Sequence, residues 1–276
     1  MSSSTRFSGL ALQALIVAAS FAVIIFSERA SAGSLSHRLP EKVCAGPSDP
    51  RLDKMPADLE TQLALSALPA SLRAAATVYL LDPSKGFYIA RRGTNGFVCF
   101  VSRTEWEWGE FRKDLFAPMG FDAEGARTNF IPYLDVAAMR ASGKYTARQI
   151  KDSVMLRIRK GIYKAPARSG ICYMLAPVMR VYTGMPGNEN VMTMSMPHYM
   201  FYAADVKDSD IGTEPNSKEG PWLVNPGNTV LGAGKGIWGY IVVPAQESVA
   251  AKIRQSGQPL VRRLAAYSPY FKLDMH

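Results

Sequence analysis

Apolar and polar positions are patterned most regularly between Ala76 and Ser102. Ala76–Asp82 is rich in branched and aromatic residues, Pro83-Ser-Lys-Gly86 has turn composition, and Phe87–Ala90 is a second apolar run. Gly93-Thr-Asn-Gly96 is a second turn and Phe97–Ser102 a third run. Short strands joined by Gly-, Pro- and Asn-bearing turns predict an antiparallel three-stranded meander. Further strands are expected at Gly170–Ala176, within Asn190–Tyr202, and at Gly236–Val243, the last apolar enough to be central. Helical spacing predicts segments at Leu59–Ala67, near Asn129–Ala141 with Pro132 in its first turn, and from Thr146 to a left-handed stop at Gly161. Thr146-Ala-Arg-Gln149 matches a capping box, and Ile150, Val154, Met155 and Ile158 share the apolar face below it. Gln246–Gln255 reads as a short helix followed by a tail, and Arg103–Phe121 as a loop. Strands in clusters with helices between them point to an α+β fold, an antiparallel sheet covered by helices on one side, in a single domain.

The N-terminus follows a different rule. Arg6 precedes an apolar stretch from Leu10 to Phe26, broken only by Gln13 and Ser20, and Ala30-Ser-Ala32 offers small residues at the positions a signal peptidase reads. This predicts a signal peptide over residues 1–32, cut between Ala32 and Gly33, with no transmembrane segment once it is removed. An uncleaved anchor is the alternative, but the stretch is at the short limit for spanning a bilayer. Residues 33–55, polar and carrying Pro40, Pro47 and Pro50, read as an extended lead-in to a globular part over 56–276.

Export changes how the remaining composition is read. Apolar and aromatic residues make up 47% of the chain, enough for a substantial core, and the net charge of +9 favours anionic partners such as an envelope surface or an acidic polysaccharide. Arg157, Arg159, Lys160, Lys164 and Arg168 concentrate that charge, with a helix C-terminus as sufficient reason for their place. Only Tyr163 is interleaved among them, which argues against nucleic acid. In an oxidising compartment two of Cys44, Cys99 and Cys172 could pair, although Cys99 and Cys172 sit in strand-like runs and equally suit buried thiols.

Candidate chemistry is sparse. Met192, Met194, Met196, His198 and Met200 fall at every second position, so an unbroken strand would present a thioether and imidazole face suited to Cu(I), although Pro197 interrupts it. His37 lies in the lead-in and His276 is the last residue, so a histidine-dependent hydrolase would have to use His198, with Asp205, Asp208 or Asp210 orienting it. Glu105, Glu107 and Glu110, mixed with Trp106 and Trp108, could line a sugar-binding cleft or form a solvated turn. The sequence contains no G-x-S-x-G elbow, H-E-x-x-H helix, phosphate loop or C-x-x-C pair, so no cofactor is expected. Gly93-Thr-Asn-Gly-Phe-Val-Cys99 and Pro197-His-Tyr-Met-Phe-Tyr-Ala203 resemble blocks of a group of secreted bacterial proteins with no known activity. That resemblance implies a bacterial exported globular protein and draws attention to His198. The expectation is an exported, secreted or periplasmic envelope protein with a binding or structural role, with a His198 hydrolase and a Cu(I) carrier as alternatives.

Overall fold

The structure, a computed structural model, describes residues 51–182, 191–212, 221–224 and 236–272. Among them ten strands run as β1 (Thr77–Asp82), β2 (Gly86–Arg91), β3 (Val98–Ser102), β4 (Ala117–Phe121), β5 (Ile171–Met174), β6 (Met179–Tyr182), β7 (Val191–Met194), β8 (His198–Tyr202), β9 (Trp222–Val224) and β10 (Tyr240–Pro244). The helices are α1 (Ala57–Ser66), α2 (Ala70–Arg73), α3 (Ala123–Arg127), α4 (Ile131–Ala141), α5 (Ala147–Arg159) and α6 (Glu247–Tyr267). Eight strands form one sheet in the order β2-β1-β3-β4-β5-β8-β10-β9, while β6 and β7 form a separate ribbon.

The three predicted N-terminal strands exist, but they do not form a meander. β1 and β2 make an antiparallel hairpin, and β3 then pairs with β1 in parallel, Thr77 opposite Val98. The link between β2 and β3 crosses the entry to β1. There the Thr94 and Asn95 amides both donate to the Ala75 carbonyl (2.7 and 3.2 Å), and the Gly93 amide donates to Thr77 Oγ1 (2.9 Å). A Cβ at Gly93 would stand 2.2 Å from the Ala75 oxygen, so the crossing needs glycine. All other strand pairs of the large sheet are antiparallel.

Helices cover both faces rather than one. Cys99 and Val101 of β3 join Leu59 and Leu63 of α1 and Leu264 of α6 in one core cluster, while Val98 and Phe100 join Phe130, Met119 and Phe121 in another. Every residue of β3 is therefore buried, as a strand covered on both sides requires. β4 lies within the segment expected to be a loop because Ala-Pro-Met-Gly-Phe carries both strand breakers. It is held by β3 and β5 on its flanks, and Gly120 lets Leu68 pack against the sheet, where a Cβ would stand 2.3 Å from Leu68 Cδ2. Likewise α6 runs through Gly257 and Pro259 instead of ending at Gln255, since Leu260 and Val261 pack on the core and Leu264 is wholly buried.

Other local signals hold. Thr146 and Gln149 form the capping box, with the Gln149 amide donating to Thr146 Oγ1 (3.2 Å) and Thr146 N–H to Gln149 Oε1 (2.9 Å). Ile150 and Val154 of α5 are buried, and Gly161 adopts φ +62 just beyond the helix. Asp122 knits strand to helix: it caps α3 through the Gly125 amide (2.9 Å) and accepts the Tyr202 hydroxyl (2.8 Å). Among the described residues no helix is long and apolar enough to cross a membrane.

Candidate functional site

The segment after β3 carries the densest group of unusual side chains. Trp106 is buried edge-on to Trp238 (6.5 Å) in a cluster with Val136, Ile150 and Val154. Glu105 borders a small space together with Trp106, and Glu107 follows two positions on. The charge of both is felt by the phenol of Tyr133 on α4, that of Glu107 also by Tyr240 on β10, and that of Glu105 also by Tyr182 on β6. Trp108 comes next: its indole N–H donates to Glu105 and its ring lies 4.8 Å from that of Tyr182. Tyr182 donates its hydroxyl to Glu110 (2.5 Å), and Arg112 joins Glu110 to Asp114. In the core, Asn129 Nδ2 donates to the Tyr240 hydroxyl (2.6 Å), and Tyr133 packs on Phe100 and Phe121.

Burial is the largest influence on both acids and pushes each carboxyl up toward neutrality; the charge on Glu107 raises Glu105 further. Glu107 accepts from the backbone amides of Trp106 and Glu107, and Lys151 on α5 partly offsets the desolvation, yet its Oε2 is enclosed without a hydrogen-bond partner. Glu105, Glu107, Trp108 and Tyr133 are half-buried. Such a pair can share one proton near neutral pH, hydrogen-bond a polyhydroxyl ligand, or receive a cation. Glu105 borders, with Thr104, Trp106, Val136 and Arg140, a space of about 10 Å3 that has room for one water. The Thr104 hydroxyl, buried and unpartnered, is among the groups that border it.

The other sequence candidates are dispersed. His198 is 5% exposed, its Nδ1–H donates to the Met196 carbonyl (2.7 Å), and burial favours the neutral ring. Asp205 is exposed in a turn at φ +58, beyond the opposite end of β8, with Asp208 and Asp210 following it, so no aspartate from this set orients His198. Pro197 divides the methionine run between two sheets. Met192 and Met194 belong to β7, paired with β6, whereas Met200 lies in β8 beside Cys172, so the five residues share no face for Cu(I). Among the described residues no cluster of three His, Cys, Asp or Glu could hold a metal. Cys99 and Cys172 are buried free thiols on strands separated by β4. Cys44, His37, His276 and the Ala32–Gly33 junction lie outside the described residues.

Within the basic run, Arg157 pairs with Asp135 and Tyr163, and Arg168 with Glu124. Arg159, Lys160 and Lys164 are exposed. Tyr182 carried no sequence signal, because only the tertiary fold brings β6 to Trp108 and Glu110. Comparison of the chain with models of known protein families, with curated proteins and with solved structures finds no match.

Proposed function

We propose that this chain is an exported bacterial envelope-binding protein, secreted or periplasmic, whose residues 56–276 form a single α+β domain and whose ligand site is at the half-buried pair Glu105 and Glu107. The apolar leader ending in Ala30-Ser-Ala32 supports export. One observation carries the choice of site: a half-buried carboxyl pair with the Trp108 indole bonded to Glu105 and the Tyr182 ring 4.8 Å from that of Trp108. Flat rings beside hydrogen-bonding acids suit a sugar unit, whose C–H face stacks while its hydroxyls bond. His198, buried on a backbone carbonyl, gives a hydrolase no comparable footing.

Tryptophan emission provides the test, since Trp108 is bonded to Glu105 and responds to an occupant. Titration with glucose, glucosamine, N-acetylglucosamine and their short oligomers should change the emission, and Trp108→Phe should remove most of the response and weaken binding. Absence of both an emission change and calorimetric heat at millimolar sugar would refute the assignment.

A further inference from the structure

The C-terminal end of α5 sets bare cations beside bare apolar side chains. From Arg157 to Arg168 the chain carries five basic residues and no acid. Arg157 pairs with Asp135 and Arg168 with Glu124. Among the described residues no ion pair reaches Arg159, Lys160 or Lys164, and all three are exposed. Leu156, Arg159 and Lys160 share the outward stripe of α5, three and four positions apart, opposite the buried Ile150 and Val154. Asp152, one turn earlier on that stripe, is held by Arg148. Leu156 is 44% exposed, and Ile162, at 60%, is the most exposed large apolar side chain among the described residues.

Ile162 is also fixed in place. Gly161, at φ +62, closes α5 in a Schellman turn: its N–H donates to the Ile158 carbonyl and the Ile162 N–H to the Arg157 carbonyl, both at 2.9 Å. One residue on, Tyr163 is buried and donates its hydroxyl to Asp135 (2.8 Å). Ile162 is therefore held outward between two anchored neighbours, where the residue at this place in such a turn commonly packs back on the helix. Lys164 returns to the same spot, since a Cβ at Gly161 would stand 3.8 Å from its Nζ.

We infer that this end of α5 docks on an anionic phospholipid surface, with Ile162 and Leu156 entering the boundary between headgroups and acyl chains and Arg159, Lys160 and Lys164 meeting the phosphates. The dipole of α5 accounts for cations at its end but not for an outward isoleucine. An acidic polysaccharide would satisfy the cations and leave Ile162 in water. An anionic bilayer takes both, because basic side chains lay their stems along the interface and keep their charged ends at the headgroups. Attachment through so few groups is peripheral and reversible, each cation and each apolar tip adding a small increment. The surface uses none of the side chains of the Glu105–Glu107 site, so either assignment can fail without the other.

Co-flotation with vesicles tests the assignment. At about 0.1 M salt the protein should partition at least about tenfold more strongly onto equimolar phosphatidylcholine–phosphatidylglycerol vesicles than onto phosphatidylcholine alone, and the preference should shrink at about 0.5 M. Arg159→Ala combined with Lys160→Ala should weaken partition onto the anionic vesicles about tenfold or more, and Ile162→Ser about threefold or more. These side chains are exposed, so urea midpoints should stay at that of the unaltered protein. All variants share one N-terminus, and a leader left on the chain contributes equally to each. Dextran sulfate, a polyanion with no apolar phase, should be bound equally by Ile162→Ser and the unaltered protein. Equal partition onto both vesicle types at low salt overturns the inference, as does a double variant that keeps the preference. Ile162→Ser binding anionic vesicles as the unaltered protein does also overturns it, leaving a general polyanion site.

Discussion

Glu60 allows the electrostatics of this core to be tested apart from any ligand. It lies on α1 with 3% of its surface exposed, and its Oε1 accepts the Leu81 amide at 2.8 Å, tying α1 to β1. Burial outweighs that bond and the fields of Arg103 and Lys54, lifting the carboxyl from 4.5 to about 7. The folded state therefore binds the proton more tightly than the unfolded chain. Stability falls as pH rises from the unfolded value to the folded one and is level above it, the reverse of an ion-paired carboxylate. The whole gap corresponds to roughly 3 kcal/mol, of which about 2–3 kcal/mol should be lost between about pH 5 and about pH 8.5. Glu60→Gln keeps an acceptor for Leu81 and removes the charge. Relative to the unaltered protein, the variant should gain about 2–3 kcal/mol over that interval, measured by urea unfolding at both pH values with tryptophan emission as readout. Glu60→Ala, which leaves the Leu81 amide unpaired, should instead be destabilised at both. A Glu60→Gln difference that does not change with pH would refute the reasoning.

Two substitutions probe how the fold is held. Gly93→Ala places a methyl against the Ala75–Thr77 backbone at the crossing between β2 and β3, and should cost about 3 kcal/mol or more, or abolish folding, as read from denaturant midpoints. Thr146→Ala removes one half of the capping box on α5 and should lower unfolding free energy by about 1 kcal/mol; an unchanged midpoint would show that the cap is not limiting.

Local chemistry makes α5 and the β1–β2 hairpin legible in the sequence. Thr146 and Gln149 satisfy each other's backbone within one turn, and Pro83-Ser-Lys-Gly86 closes a hairpin from neighbouring residues. The position of β3 is not legible there, because a strand leaving Gly93-Thr-Asn-Gly96 can continue past β2 or cross β1. The choice depends on Ala75, Leu72 and Thr77 accepting or donating across the link. β4 and the second half of α6 are hidden for a related reason. Pro118, Gly120, Gly257 and Pro259 speak against strand and helix locally, and packing against Leu68 or around Leu264 overrides them. The even spacing of Met192 to Met200 misleads in the opposite sense: it suggests a continuous face, and Pro197 passes the chain from one sheet to another.

The candidate site is half legible by the same standard. Glu105, Trp106, Glu107 and Trp108 stand out as a group, but composition does not tell a solvated turn from a half-buried one; the Tyr182 ring of β6 against Trp108 and the burial of Trp106 do. The distinction between Glu60 and the Glu105–Glu107 pair follows from what each oxygen meets. Glu60 is raised by burial yet bonded to Leu81, an arrangement that joins two elements and explains its presence in the core. Glu107 Oε2 is raised and unbonded, and it stands close enough to Glu105 to disfavour a second charge. Two neutral side chains of similar size would fill that volume without desolvating any charge, so nothing in the packing requires acids there. The cost of such a pair to the folded state is the ground on which we propose it as a ligand site.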